Sequence, residues 1–369
     1  MVYRPKPAFR TEPFGSVALP AILSSQRGLV LLITLAVISV LLALTFSLNR
    51  NVIRGYSSTR AVESRAVLDA MAESGIRLGM AVLIRDKAES EIDSVQECWA
   101  DEACLKSLVR LLDFESGGID LSIEDEQGKL DVNALVTGMN GTHFHPVAYT
   151  MWSRFLGERI RALDMEVDAE GILDALKDWM DSEDDNRITG AGGAESDWYM
   201  HLPQPYPCKN APVDDIGELL RIRGMQPTIF YGKSGVDGIR PFVTASSPKG
   251  ASGRFGRINI NTAKVEVLRV VLPETRVERA EQMAAYRMER SSNAFVHDLS
   301  DPLWYKRVPG LGDVTLPPDR IAYASDRFSI TATARLDPLS RRITARVLRE
   351  KQGGSGTWQC RVLSWELDR

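Results

Sequence analysis

Leu29 to Leu48 reads LVLLITLAVISVLLALTFSL, twenty residues in a row without a charge. At 1.5 Å per residue such a helix is about 30 Å long, enough to cross the hydrocarbon core of a bilayer. Arg4, Lys6, Arg10 and Arg27 precede it against a single acid, Glu12. The positive-inside rule therefore keeps the N-terminus in the cytoplasm and places the bulk of the chain on the far side. Arg50 and Arg54 follow the span and reduce this asymmetry without reversing it. A secretory signal peptide has a shorter apolar core and a small-x-small cleavage site after it; no convincing A-x-A follows Leu48.

The rest of the 369-residue chain has an ordinary globular composition, 44% hydrophobic and 25% charged, with a net charge of −4. That size suggests two or three domains, or one domain with a large insertion. The charge balance does not point to nucleic acid or an anionic membrane surface as the main partner. Past the span, Ala66, Ala70, Met71, Leu78 and Val82 recur at near-helical spacing, so the helix is expected to continue to about residue 87. Gly75 and Gly79 count against a regular helix there. Leu121 and Ile123, then Leu130 and Val132, alternate with polar residues, and Glu126-Gln127-Gly128 between them suggests a hairpin turn. From about Asn133 to Ala324 the pattern is mainly helical and loop-like. Alternation returns at Phe328-Ile330-Ala332-Ala334, Ile343-Ala345-Val347 and Trp358-Cys360-Val362, an antiparallel meander. The expected fold is α+β: a long N-terminal helix on an antiparallel sheet built from residues 49–133 and 325–369, with a helical domain inserted over 134–324.

Asp174 to Asp197 reads DALKDWMDSEDDNRITGAGGAESD. Eight carboxylates face only Lys177 and Arg187, and Gly190, Gly192 and Gly193 let the chain fold back. Acids at a helix C-terminus are disfavoured by its dipole, and Ca²⁺ accepts six to eight oxygen ligands in flexible geometry. An EF-hand would need Gly and Glu where, counting from Asp181, this chain has Asn186 and Gly192. A solvated acidic loop is the alternative. Cysteines number four, Cys98, Cys104, Cys208 and Cys360, without a C-x-x-C. Three pairings are open; a local Cys98–Cys104 bridge across WADEA is expected, which would leave Cys208 to pair with Cys360. Four buried thiols are the alternative, and an oxidising compartment would decide.

Three features resemble the K-type minor pseudopilins of bacterial type II secretion. Gln26-Arg27-Gly28 directly before the apolar run looks like a prepilin leader (residues 1–28) cut between Gly28 and Leu29. Ile33 then stands at the fifth mature position, where most pilin-like proteins carry Glu and K-type members do not. DWMDSEDDNR…GGAESDWY resembles the family's acidic signature, which implies Ca²⁺ held by Asp181, Glu183, Asp184, Glu195 and Asp197. Pro212–Met225 and Arg257–Leu268 resemble the SAM-like or helix-hairpin-helix units of the family's helical insertion. In a DNA-binding unit the turn would carry Gly-hydrophobic-Gly, but Pro273-Glu274-Thr275 has no Gly, and no Lys/Arg stripe accompanies either segment.

The resemblance implies a pilin-like fold in a single-pass inner-membrane protein, with its bulk in the periplasm. It also implies I- and J-type minor pseudopilins, the pseudopilus and the inner-membrane secretion platform as partners, processing by the prepilin peptidase, and no enzymatic activity. A membrane-anchored calcium-dependent hydrolase and a type IV minor pilin are the alternatives. No G-x-S-x-G, H-E-x-x-H or phosphate loop is present. His143-x-His145 beside Pro146 reads as a surface turn rather than a metal site.

Overall fold

The computed structural model describes residues 26–137, 141–182, 187–246, 255–292, 294–353 and 356–368. The chain divides into two units, Met1–Ser64 and Arg65–Arg369. The described part of the first is the start of helix α1, which runs Gln26–Glu89. Over Gly28–Arg50 it is long and apolar enough to cross a membrane. Its side chains from Leu29 to Leu48 are exposed around the whole circumference. A core helix of a water-soluble domain buries one face; this segment buries none, which fits contact with lipid.

In the second unit α1 is amphipathic. Leu68, Met71, Ala72, Ile76, Val82 and Leu83 are buried, a stripe of helical period. Ala66 and Ala70, expected on this face, are exposed. The stripe packs with four strands into one core: β1 Gly118–Asp125, β2 Arg327–Leu336, β3 Leu339–Lys351 and β4 Trp358–Asp368, in that order across an antiparallel sheet. Ile119, Leu121 and Ile123 pair with Ala334, Ala332 and Ile330, while Phe328, Ile330 and Ala332 pair with Val347, Ala345 and Ile343. Alternate residues of each strand thus form one buried apolar face.

The two glycines of α1 explain how closely helix and sheet approach. A Cβ at Gly75 would lie 2.8 Å from Ala332 Cβ, and one at Gly79 would lie 2.7 Å from Ile330 Cγ2. Helix propensity disfavours both positions, but contact with the sheet requires them. Helix α2 (Glu102–Val109) starts where Asp101 accepts the Ala103 N–H at 2.8 Å. Trp99, just before it, meets Phe328 edge-on with ring centroids 5.3 Å apart.

The hairpin expected at Glu126-Gln127-Gly128 does not form. That segment is a short 3-10 turn capped by Asp125, and the β1 neighbour is β2, about two hundred positions along the chain. Leu130-Asp131 instead pairs in parallel with Val243-Thr244, and Ile258-Asn259 with Ile321-Ala322. These short ladders lie in the segment between β1 and β2. That segment also carries α3 (Pro146–Ala162), α4 (Ala169–Met180), α5 (Ser196–Met200), α6 (Pro227–Tyr231), α7 (Val265–Val271) and α8 (Ala280–Met288). They surround a second apolar core that includes Trp152, Phe155, Leu176 and Trp304. His145 caps α3 through Nδ1, accepting the Ala148 N–H at 3.4 Å, while His143 is exposed.

A single methyl should test the glycine face. Gly79→Ala adds about 1 kcal/mol of helix propensity but overpacks the core at a typical cost of about 1–3 kcal/mol, so a net loss of stability is expected. Gly157 in α3 has no atom within 4 Å of its would-be Cβ, so Gly157→Ala should stabilise by up to about 1 kcal/mol. Urea unfolding of the two variants should move in opposite directions.

Candidate metal centre

Helix α4 begins at Asp168, whose carboxylate accepts the Glu170 N–H at 3.1 Å. It buries Ile172, Leu173, Leu176 and Trp179, the apolar face of its sequence pattern. Asp178 is on the buried side as well and is fully inaccessible. Its two oxygens accept the Thr189 N–H at 3.2 and 3.0 Å, which draws the returning loop against the helix. A Cβ on Gly193 would overlap Asp178 Oδ2 and Thr189 O, and one on Gly192 would overlap the Gly171 backbone. The glycines therefore allow loop and helix to touch. Arg223 Nη1 holds the loop from the other side by donating to Gly193 O at 2.8 Å.

This fold-back carries Glu195 to the end of α4. Asp178, Asp181 and Glu195 are all buried, and one carboxylate oxygen from each lies within 4.8 Å of the others. Lys177 Nζ reaches Asp181 Oδ2 at 3.3 Å and donates to Thr189 Oγ1 at 2.9 Å. Burial of ionised carboxylates costs several kcal/mol each unless charge compensates. Burial and the nearby acids Asp178, Asp168 and Glu170 push the Asp174 carboxyl above its ordinary range, against a backbone hydrogen bond from Gly192. Buried, clustered, oxygen-only donors on a loop fit a hard divalent cation.

The sequence-predicted ligands divide three ways. Asp181 and Glu195 are brought together. Asp197 is not: it is exposed in α5, with Oδ1 3.8 Å from His201 Nδ1. Glu183 and Asp184 lie outside the described residues. Asp178, outside the sequence-predicted set, joins Asp181 and Glu195 in this cluster; its spacing from Asp181 places the two on one helical face.

Residues 128–248, which include α4 and this loop, match the family model of type II secretion system protein K. Type II secretion system protein K of Klebsiella pneumoniae is 25% identical over 338 residues, covering 89% of this chain and 93% of that protein. Its counterpart in Pectobacterium carotovorum subsp. carotovorum is 25% identical over 246 residues, 65% of this chain and 67% of the relative. The fold is also that of a chain in the crystal structure of the GspK-GspI-GspJ complex from the enterotoxigenic Escherichia coli type 2 secretion system. The match has a TM-score of 0.62 at 18% identity and covers 84% of this chain and 99% of that one. These likenesses support a K-type minor pseudopilin.

The cysteines of this chain follow the expected pattern only in part. Cys98 and Cys104 form a disulfide. Cys208 and Cys360 are free thiols, which corrects the second expected pair. Cys208 belongs to the core of the helical insertion, with Sγ 3.5 Å from Asp178 O. Cys360 packs against the other core, with Sγ 3.8 Å from Met80 O. Burial pushes the Cys208 thiol up to about 12 and the Cys360 thiol up to about 11. Both should therefore resist thiol reagents in the native protein. The unreduced, denatured chain should release two reactive thiols, and reduction should raise that to four. A count of zero before reduction would restore the Cys208–Cys360 pair.

Proposed function

We propose that this chain is a structural component of the pseudopilus tip, primes pseudopilus assembly together with I- and J-type partners, and serves protein secretion across the outer membrane. The observation that carries this reading is the coexistence, in one chain, of a lipid-type N-terminal helix, a pilin-like helix-on-sheet unit and a bulky insertion between β1 and β2. The helix supplies the contact to neighbouring subunits and the membrane. The insertion supplies bulk at the end where no further subunit is added. The chain acts as an assembly part rather than an enzyme. Prepilin peptidase would cut between Gly28 and Leu29, leaving Ile33 at the fifth position. A subunit with no neighbour above it has no N-terminal amine to pair, so a membrane-embedded Glu there would be costly and unneeded.

Ca²⁺ is the cation we assign to Asp178, Asp181 and Glu195, with Glu183 and Asp184 as further candidates from the sequence. Its role is structural: it neutralises the buried acids and pins the loop after α4 to the insertion. A ligand at a hundredfold its dissociation constant stabilises the folded state by about 2.7 kcal/mol, so calcium should raise the melting temperature by several degrees over chelator. Asp181→Asn with Glu195→Gln should abolish that rise. An unchanged melting curve would leave the loop without a metal role. Independently, deletion of the chain should reduce pseudopilus assembly, and the full-length protein should co-purify with I- and J-type partners. Normal assembly and secretion in the deletion strain would sink the tip reading.

A further inference from the structure

The root of the insertion, where it meets the sheet, holds a second set of buried acids, distinct from those of α4. Asp86 comes from the last turns of α1, Asp93 and Glu97 from the following loop, and Asp125 from the end of β1. Oxygens of Asp86, Asp93 and Glu97 lie within 4.8 Å of one another. Arg349 of β3 reaches into this group. Its Nη1 donates to Leu83 O at 3.0 Å and to Asp86 Oδ2 at 3.3 Å; its Nη2 donates to Asp93 Oδ1 and, at 2.9 Å, to Ser325 O. Lys87 Nζ lies 3.9 Å from Asp93 Oδ2.

The same group grips the insertion. Ser325 donates its N–H to Asp93 at 2.8 Å and its hydroxyl to Asp125 at 2.6 Å. Asn259 Nδ2 donates to Asp93 O at 3.0 Å and to Asp125 at 2.9 Å, and Thr262 donates to Asp125 at 2.7 Å. Glu97 is held by Ser90, by the Ser94 N–H and by Trp99 Nε1 at 3.0, 3.0 and 2.7 Å. Among the described residues, the cations that reach these four carboxylates are Arg349 and Lys87. Full ionisation would leave an uncompensated negative charge in a buried site, which is expensive. Because Arg349 already binds Asp86 and Asp93, the cluster is an ion-pair network rather than an open metal site.

We propose that this network is a proton-operated latch: a proton retained among Asp86, Asp93 and Glu97 holds the root of the insertion closed on the sheet, and its loss loosens that junction. Burial, with the charges of Glu97 and Asp93, pushes Asp86 up to about 7 against the pull of Arg349. Burial also raises Asp93 and Glu97, and lifts Asp125 to about 6. A carboxyl whose folded pKa lies above its unfolded value binds its proton more tightly when folded. Its contribution to stability is complete below the unfolded pKa of 3.8 and is lost as pH rises through about 7. The latch is therefore tighter in mild acid than in mild base, the reverse of an ordinary carboxylate salt bridge. Asp131, elsewhere in the insertion, is lifted by burial to about 6 as well, so a global melting temperature would mix the two effects and a local readout is needed.

Hydrogen exchange followed by mass spectrometry on the full-length protein in detergent micelles supplies that readout. It should be run at about pH 5.5 and about pH 8.5 with labelling times scaled for the intrinsic rate. Segments 90–97, 258–263 and 321–326 should lose about tenfold in protection at the higher pH, while the β2–β3 ladder stays unchanged. Asp86→Asn should remove the difference. Glu97→Gln deletes a negative neighbour of Asp86 and should shift the midpoint to lower pH. Should Asp86→Asn fail to fold, the wild-type profile and the Glu97→Gln shift decide. Equal protection at both pH values, or a midpoint unmoved by Glu97→Gln, overturns the latch.

Discussion

Arg349 is the side chain on which the rest of the fold converges. It is almost fully buried, with its guanidinium 4.7 Å from the centre of the Phe328 ring. Its Nη1 and Nη2 groups donate to the α1 backbone, two carboxylates and the Ser325 carbonyl, drawing them to one point. Lys could not replace it, because a single ammonium lacks the planar fork that reaches several acceptors at once. A buried ion pair adds little net stability relative to a well-packed apolar core, but removing one partner typically costs about 3–5 kcal/mol. The arrangement therefore specifies geometry: it fixes where α1 ends, where β2 begins and how the insertion leaves the sheet.

Local pattern made the meander legible. Each of β2, β3 and β4 alternates apolar and polar residues over its own length, and short turns join them. The position of β1 was not legible in this way. Its partner is separated from it by the whole insertion, and period-two alternation says that a strand exists without saying which strand it joins. The nearest turn signal, Glu126-Gln127-Gly128, points to a hairpin, whereas Asp125 caps a 3-10 turn there and its other oxygen is taken by Ser325, Asn259 and Thr262. Propensity alone counts against Gly75 and Gly79 in a helix. Their use becomes visible only when Ala332 and Ile330 are placed opposite them.

The acidic loop was legible as a loop, but not which of its carboxylates come together. The family signature points to Asp197, which is exposed, while Asp178 lies within an apolar helical face. A carboxylate among Ile172, Leu176 and Trp179 is the more informative signal, because burial of an acid demands compensation that solvent cannot supply there. The cysteines show the same limit from another side. Six residues of separation made the Cys98–Cys104 bridge accessible from sequence, whereas assigning the remaining two to each other assumed that they share a neighbourhood. They belong to different cores.

Two cores joined through polar groups have a mechanical consequence. The apolar clusters of the sheet and of the insertion are each closed on themselves, and much of the hydrogen bonding at their junction runs through Asp93, Asp125, Asn259 and Ser325. Hydrophobic burial varies little with pH, so each core keeps its internal packing across the range in which Asp86 titrates. The polar junction does not share that insensitivity, because its strength depends on how many of its carboxylates are charged. A chain built this way can hold the Arg65–Glu89 part of α1 and the sheet in a fixed relation to each other through the glycine face, yet let the bulky insertion respond to its surroundings at the root.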